Sequence, residues 1–301
     1  MNPLRSFIAA ELDRDVPPEV IQAGRVIAGR LGGVAALFYG SVLRTGDLGG
    51  LLDFYVLRDG KTAGGVVGRL LWPDVSYHEV NIGGELIRAK VATMSIETFA
   101  QAAAGQTLDT TVWARFVQPA ALVWTRGVAF RERTIDAVAA ATTTAAGFAA
   151  LHGPECGTAA DFWRALFRAT YAAELRVEAP GREDQILAYD GARYEALLPL
   201  AWAAGGIAFD GTADGLRPRL TEDEIFAQAG AWLQLEAAGK KLNLARLLKA
   251  AFTFDGATRY AAWKIERHTG VRVLVTPFRE RHPIMAAPGV LWQLWRHAVL
   301  R

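Results

Sequence analysis

Cysteine is nearly absent: Cys156 stands alone in 301 residues. One thiol cannot build an intrachain disulfide framework or a multi-cysteine zinc site, which fits a reducing compartment such as a cytoplasm. An excess of either charge is also missing. With 33 basic and 31 acidic residues the formal charge is +2, so bulk electrostatic attraction to nucleic acid is not expected. Glu11, Asp13, Arg14 and Asp15 leave no room for the apolar core of a secretory signal. A membrane span needs roughly twenty apolar residues, and the longest uncharged stretches fall short of that pattern. Residues 137–154 are mostly alanine and threonine, while 196–209 is short and broken by Pro199, Gly205 and Gly206. A membrane would therefore be met from its surface, by a protein that is cytoplasmic or peripheral on the inner membrane. Internal repeats and low-complexity tracts are missing too. What is present is a 51% hydrophobic, 21% charged chain, enough for one large domain or two packed ones.

The pattern changes along the chain. A helical stretch follows Pro17 and Pro18 and stops at Gly32-Gly33. Residues 34–39 and 51–57 read as strands, and 75–81 with 85–94 read as a hairpin about Gly83-Gly84. Ser95 then caps a helix, with Thr98 three residues on. From 131 onward, residues 134–151, 159–173, 191–204, 221–252 and 256–268 all favour helix. The break at Gly153-Pro154 lies near the expected boundary between a mixed half and a helical half.

The sharpest local feature is Phe38-Tyr39-Gly40-Ser41, followed by Asp53 inside the next strand. Glycine lets a backbone approach phosphate closely, and a serine hydroxyl can bind its oxygens. Asp53 sits among apolar residues, where a charge is costly unless paired or bound to metal. Asp59 follows by an even step that shares its face, and Arg88 and Lys90 share a face of a later strand. These residue types suit a magnesium-bound triphosphate. Glu79 is a further candidate ligand. The competing reading is an ordinary Gly-Ser turn beside a solvent-facing aspartate.

These blocks resemble the mitochondrial-type phosphatidate cytidylyltransferases, the CDP-diacylglycerol synthases also described as translocator assembly and maintenance proteins. Tyr39-Gly40-Ser41 with Leu52-Asp53-Phe54 is similar to the family's Tyr-Gly-Ser turn and Asp-Phe strand, and Asp59 falls where the family has another aspartate. Arg88, or Lys90 with a two-residue slip, takes the place of a family lysine. Arg115 and Pro119 match a Gly-Arg-Leu-Gln-Lys-Pro element, and Tyr171, Glu174 and Arg176 match a Ser-Tyr-x-Gly-Asp-x-Arg element. The chain departs from the family in a shorter segment after Asp59, in a missing Trp-His element, and in Ala114, Ala173 and Glu174, which replace two glycines and an aspartate.

The resemblance implies an α+β fold. A nucleotidyltransferase-like mixed-sheet domain would cover 1–130 and a mainly helical domain 131–255, with a winged-helix-like form as one option. A basic, aromatic segment with a C-terminal helix would cover 256–301. It implies transfer of CMP from CTP to phosphatidic acid, giving CDP-diacylglycerol and pyrophosphate, with Mg2+ as cofactor. Asp53 and Asp59 would hold the ion, Tyr39, Gly40 and Ser41 the nucleotide phosphates, and Arg88 or Lys90 would neutralise the α-phosphate. Arg115 and Arg176 would reach the nucleotide, supported by Tyr171 and Glu174. An interdomain salt bridge explains the last group equally well. Two alternatives remain: a related enzyme acting on a soluble phosphate, a protein or an RNA, or a non-catalytic binding module on the same fold.

Near the end, Lys264, Arg267, Arg272, Arg279, Arg281, Arg296 and Arg301 face only Glu266 and Glu280. With Leu291, Trp292 and Trp295 they suit an anionic membrane surface. The plainer reading is a terminal helix docked on the core, with Trp263, Trp292 and Trp295 inside it.

Overall fold

The computed structural model describes residues 2–60, 71–174, 181–281 and 283–299. Helix α1 (Pro3–Leu12), which the sequence patterns did not signal, is capped by the Asn2 side chain accepting from the Leu4 amide at 3.0 Å. Helix α2 (Pro18–Arg30) opens on a proline, whose missing N–H costs nothing there. Gly32, at φ 64°, turns the chain into β1 (Gly33–Tyr39). Every residue of β1 is buried, which is why it reads as a continuous apolar run.

A short helix α3 (Ser41–Thr45) leads to β2 (Leu52–Arg58). The expected hairpin is present as β3 (Asp74–Ile82) and β4 (Glu85–Ser95). Gly83 and Gly84, at φ 62° and 92°, supply the left-handed turn that joins strands without splaying them. Ser95 caps α4 (Ile96–Ala103), accepting from the Thr98 amide at 3.0 Å. After α5 (Thr111–Phe116) comes β5 (Ala120–Thr125), a strand that the sequence patterns also missed. The five strands form one mixed sheet in the order β3-β4-β2-β1-β5, with β2 and β4 parallel and the other neighbours antiparallel.

Alternation along the strands splits the apolar residues between two faces. One face carries Phe38, Phe54, Val56 and Val91 and is covered by Val20, Ala23 and Ile27 of α2. The other carries Leu37, Tyr39, Tyr55, Leu57 and Met94, and its core continues unbroken into the helical half. Helix α6 (Val128–His152) joins the two, packing against α1, α4, α5 and the later α7 (Ala159–Glu174), α9 (Gly191–Ala204) and α10 (Glu222–Thr253). Among the described residues it alone is long and apolar enough to cross a membrane, yet most of it is buried inside the protein. The coarse expectation of a mixed α+β chain is what the structure shows.

Helix α8 (Arg182–Tyr189) links α7 to α9, and a small hairpin, β6 (Ala208–Thr212) with β7 (Gly215–Arg219), precedes α10. Three helices end the chain: α11 (Ala257–Thr269), α12 (Pro277–Arg281) and α13 (Pro283–Val299). Trp292 and Trp295 are 58% and 61% exposed, so the reading that places them in the core fails. The Arg296 guanidinium lies 4.8 Å from the centre of the Trp292 ring. Arg301 lies outside the described residues.

Candidate functional site

Cross-strand register brings the central residues together. Asp53, at the start of β2, pairs with Tyr39 at the end of β1 on one side and with Lys90 on the other. Tyr77 pairs with Lys90, and Ala120 pairs with Tyr39. One row across the sheet therefore reads Tyr77, Lys90, Asp53, Tyr39, Ala120, with neighbouring strands about 4.8 Å apart. Because β5 enters beside Tyr39, the preceding segment carries Arg115, Gln118 and Pro119 to the same place.

Gly40 is required here twice over. Its φ of 95° and ψ of −160° suit glycine alone, and an added Cβ would come 2.7 Å from an Asp53 carboxylate oxygen. This turn lets the chain leave β1 directly over the aspartate. The result is a cavity of about 200 Å³ lined by Tyr39, Gly40, Ser41, Asp53, Arg115 and Tyr171, all expected site residues. Pro119, which the family element also matched, joins them. Among the described residues Arg44, Gln118, Arg182 and Ile186 also line it; Gln118 falls inside the Arg115–Pro119 element, and no motif had pointed to the other three.

The electrostatics are lopsided. Burial raises the Asp53 pKa, opposed by the positive charges of Lys90, Arg115 and Arg44 in that order. For Arg115, burial works against the charged form, but Tyr39, Tyr55, Asp53 and Glu174 more than reverse it and hold the guanidinium charged. That guanidinium lies 4.9 Å from the Tyr39 ring centre, and its buried Nε has no hydrogen-bond partner. The Arg44 pKa is lowered, first by burial and then by the like charge of Arg182. Among the described lining residues Asp53 is the one carboxylate, facing Arg44, Arg115 and Arg182, an environment suited to anions.

Other expected residues lie elsewhere. Asp59 is six residues from Asp53, which along a strand is about 20 Å. It pairs with Arg126 at 3.3 Å, both half-exposed, so it cannot share an ion with Asp53. The even spacing placed both aspartates on one face without measuring the distance along it. Neither Arg88 nor Lys90 is among the residues that line the cavity; Lys90 acts on Asp53 through its charge and register, while Arg88, one pleat away, lies 3.8 Å from Glu79, with which it pairs in register. Glu79 also accepts from the Tyr77 hydroxyl at 3.0 Å, so it is not turned towards Asp53 as a ligand. Glu174 is buried, accepting from the Thr110 hydroxyl, while its backbone carbonyl accepts from Asn243. Arg176 lies outside the described residues.

For magnesium the donor set is narrow. Among the described residues there is no cluster of three or more histidine, cysteine, aspartate or glutamate side chains. Magnesium accepts one or two carboxylates and fills its shell with water and substrate phosphates. Asp53 fits an ion that arrives with a polyphosphate, not one caged by protein alone. Compared with known proteins, the chain matches no family model and has no significant match among curated proteins.

Proposed function

We propose that this protein is a magnesium-dependent nucleotidyltransferase that transfers CMP from CTP to phosphatidic acid, releasing pyrophosphate. The observation that carries the reading is the convergence of the Gly40-Ser41 turn, Asp53 and a set of basic side chains on one cavity. A β-strand that ends in Gly-Ser and lies antiparallel to a strand bearing an aspartate supports a nucleotidyltransferase-like sheet. The β6–β7 hairpin beside the helices supports the winged-helix-like option for the second half.

Each residue has a physical task. Gly40 brings its backbone close to phosphate oxygens, and Ser41 offers them a hydroxyl. Asp53 would hold the magnesium ion, which when bound neutralises charge on the phosphate chain. Lys90, in register with Asp53, replaces Arg88 as the cation that meets the α-phosphate, and Arg115 neutralises the same charge from the opposite strand edge. Tyr39 and Tyr171 wall the cavity, and the Tyr39 ring packs under the Arg115 guanidinium. The acceptor phosphate is already an anionic nucleophile: its oxygen bonds to the α-phosphorus as the bond to the bridging oxygen breaks. No proton need be removed and no enzyme intermediate is required, so catalysis reduces to alignment and charge neutralisation.

One observation favours a second reading. The cavity, at about 200 Å³, is smaller than the roughly 300 Å³ at which ligand pockets begin. That volume accounts for the phosphate-binding part of the site and does not name the acceptor. Labelled CTP, magnesium and phosphatidate vesicles, with Asp53→Ala as control, decide between the readings. CDP-diacylglycerol made only by the unmutated protein supports the first. Consumption of CTP with soluble acceptors alone supports the second, and absence of any turnover leaves a binding module. Exposed Leu291, Trp292 and Trp295 beside Arg296 support docking on an anionic membrane. Flotation on anionic vesicles, lost on removing residues 290–301, is the expected result; equal flotation of both forms would exclude this anchor.

A further inference from the structure

Arg44 and Arg182 belong to none of the motifs that led to the cavity, yet both line it. They arrive from different halves of the chain, Arg44 on α3 and Arg182 at the start of α8. The Tyr189 hydroxyl donates to the Leu43 carbonyl at 3.3 Å, tying the end of α8 to α3 one residue from Arg44. Neither arginine has an ion-pair partner among the described residues. Arg44 is half-buried, and burial and the like charge of Arg182 are the two largest influences on it; among the described residues the one carboxylate coupled to it is Asp53. Among the described residues Arg182 donates to the neutral side-chain oxygen of Gln185, at 3.1 Å. Asp53 feels Lys90 and Arg115 more strongly than it feels Arg44. The α3–α8 side of the cavity therefore holds two like charges that repel each other and are partly stripped of water. Such an arrangement is unfavourable when empty and is relieved by a group with two negative charges placed between them. A phosphate monoester carries about that charge near neutral pH.

We propose that Arg44 and Arg182 form a second phosphoryl subsite, which takes a phosphate monoester dianion beside the Asp53 and Arg115 end of the cavity. Its role as the acceptor's seat rests on the phosphoryl-transfer reading above, whereas its occupancy is measurable without turnover. The monoester can come from a lipid headgroup or from a soluble metabolite, and the chemistry is the same.

The test titrates the full chain with glycerol 1-phosphate, with phosphatidylcholine vesicles containing phosphatidic acid, and with CTP. Arg44→Gln and Arg182→Gln, singly and together, are compared with the unmutated protein. Arg217→Gln, in the exposed β7 pair with Glu155, serves as a remote control. Each cavity substitution should weaken monoester binding about ten-fold, the loss of one charge-assisted contact. CTP affinity should change by less than about three-fold, and lysine at either position should restore part of the loss. Loss confined to vesicles identifies a lipid source; equal loss with glycerol 1-phosphate identifies headgroup chemistry alone. Unchanged monoester binding in the double variant overturns the proposal. So does a fall in CTP affinity as large as that for the monoester, or failure of the unmutated protein to bind either monoester source. Far-ultraviolet circular dichroism and Tm confirm that each variant is folded, and a variant that unfolds is replaced by its lysine counterpart. If monoester binding depends on both arginines but no nucleotide is transferred, the subsite stands and the reaction proposed above falls.

Discussion

Asp53 and Asp59 begin and follow the same strand, six residues apart, and by count they share a face. Their surroundings differ. Asp53 lies under the Gly40 turn, with Lys90, Arg115 and Arg44 acting on it and a cavity at its side. Asp59 sits past the far end of β2 in a half-exposed pair with Arg126. Period-two alternation decides which side of a sheet a residue occupies, while only register and turns decide which end becomes a site.

The largest expected contrast is in turnover. Asp53→Ala should lower kcat/KM by about a thousand-fold or more, the loss typical of removing a central charge-stabilising group, while Asp59→Ala should stay within about three-fold. Equal losses from the two, in a steady-state nucleotidyl-transfer assay, would overturn the assignment of the site to one end of β2. Next in size is the pair on β4: Lys90→Met should cost about ten- to a hundred-fold in kcat, and Arg88→Met much less. A larger loss at Arg88 would return the α-phosphate role to that residue.

Gly40→Ala tests the turn itself. The left-handed backbone and the 2.7 Å approach to Asp53 predict a loss of about 1–3 kcal/mol in urea unfolding, with activity lost as well. Asp53→Asn should behave in the opposite way, abolishing activity while leaving Tm unchanged or slightly raised. A carboxyl whose folded pKa is raised binds its proton more readily folded than unfolded. Its unfavourable contribution is complete above the folded pKa and disappears as pH falls through that value towards the ordinary carboxylate range. The gap in Tm between the asparagine variant and the unmutated protein should therefore narrow on acidification; a gap that widens would contradict the burial of Asp53. Smallest of all, breaking the exposed Asp59–Arg126 pair should cost no more than about 1 kcal/mol, measured by a double-mutant cycle.

Much of this was legible in the residues. The runs in β1 and β2, the glycine turn of the β3–β4 hairpin and the Ser95 cap are local signals, and local signals survive folding. So is the crowding of Asp53 by apolar neighbours. β5 was not legible, because six residues between two helices carry no turn signature of their own and acquire their role from the open edge of β1. Arg44 and Arg182 were invisible for a related reason: their proximity comes from α8 packing near α3, and no periodicity records a contact across 138 positions. Glu174 lies buried beside Thr110, where its charge acts on Arg115, a placement set by α7 packing.

Helix α6 carries a consequence for how the protein comes apart. It is rich in alanine and threonine, and those short side chains let six other helices approach it closely. A protease cut at the Gly153-Pro154 break would leave this apolar cylinder still gripped from both sides. The nicked halves should elute together and melt in a single transition, and separately expressed halves should be insoluble alone and recover the native state only when mixed.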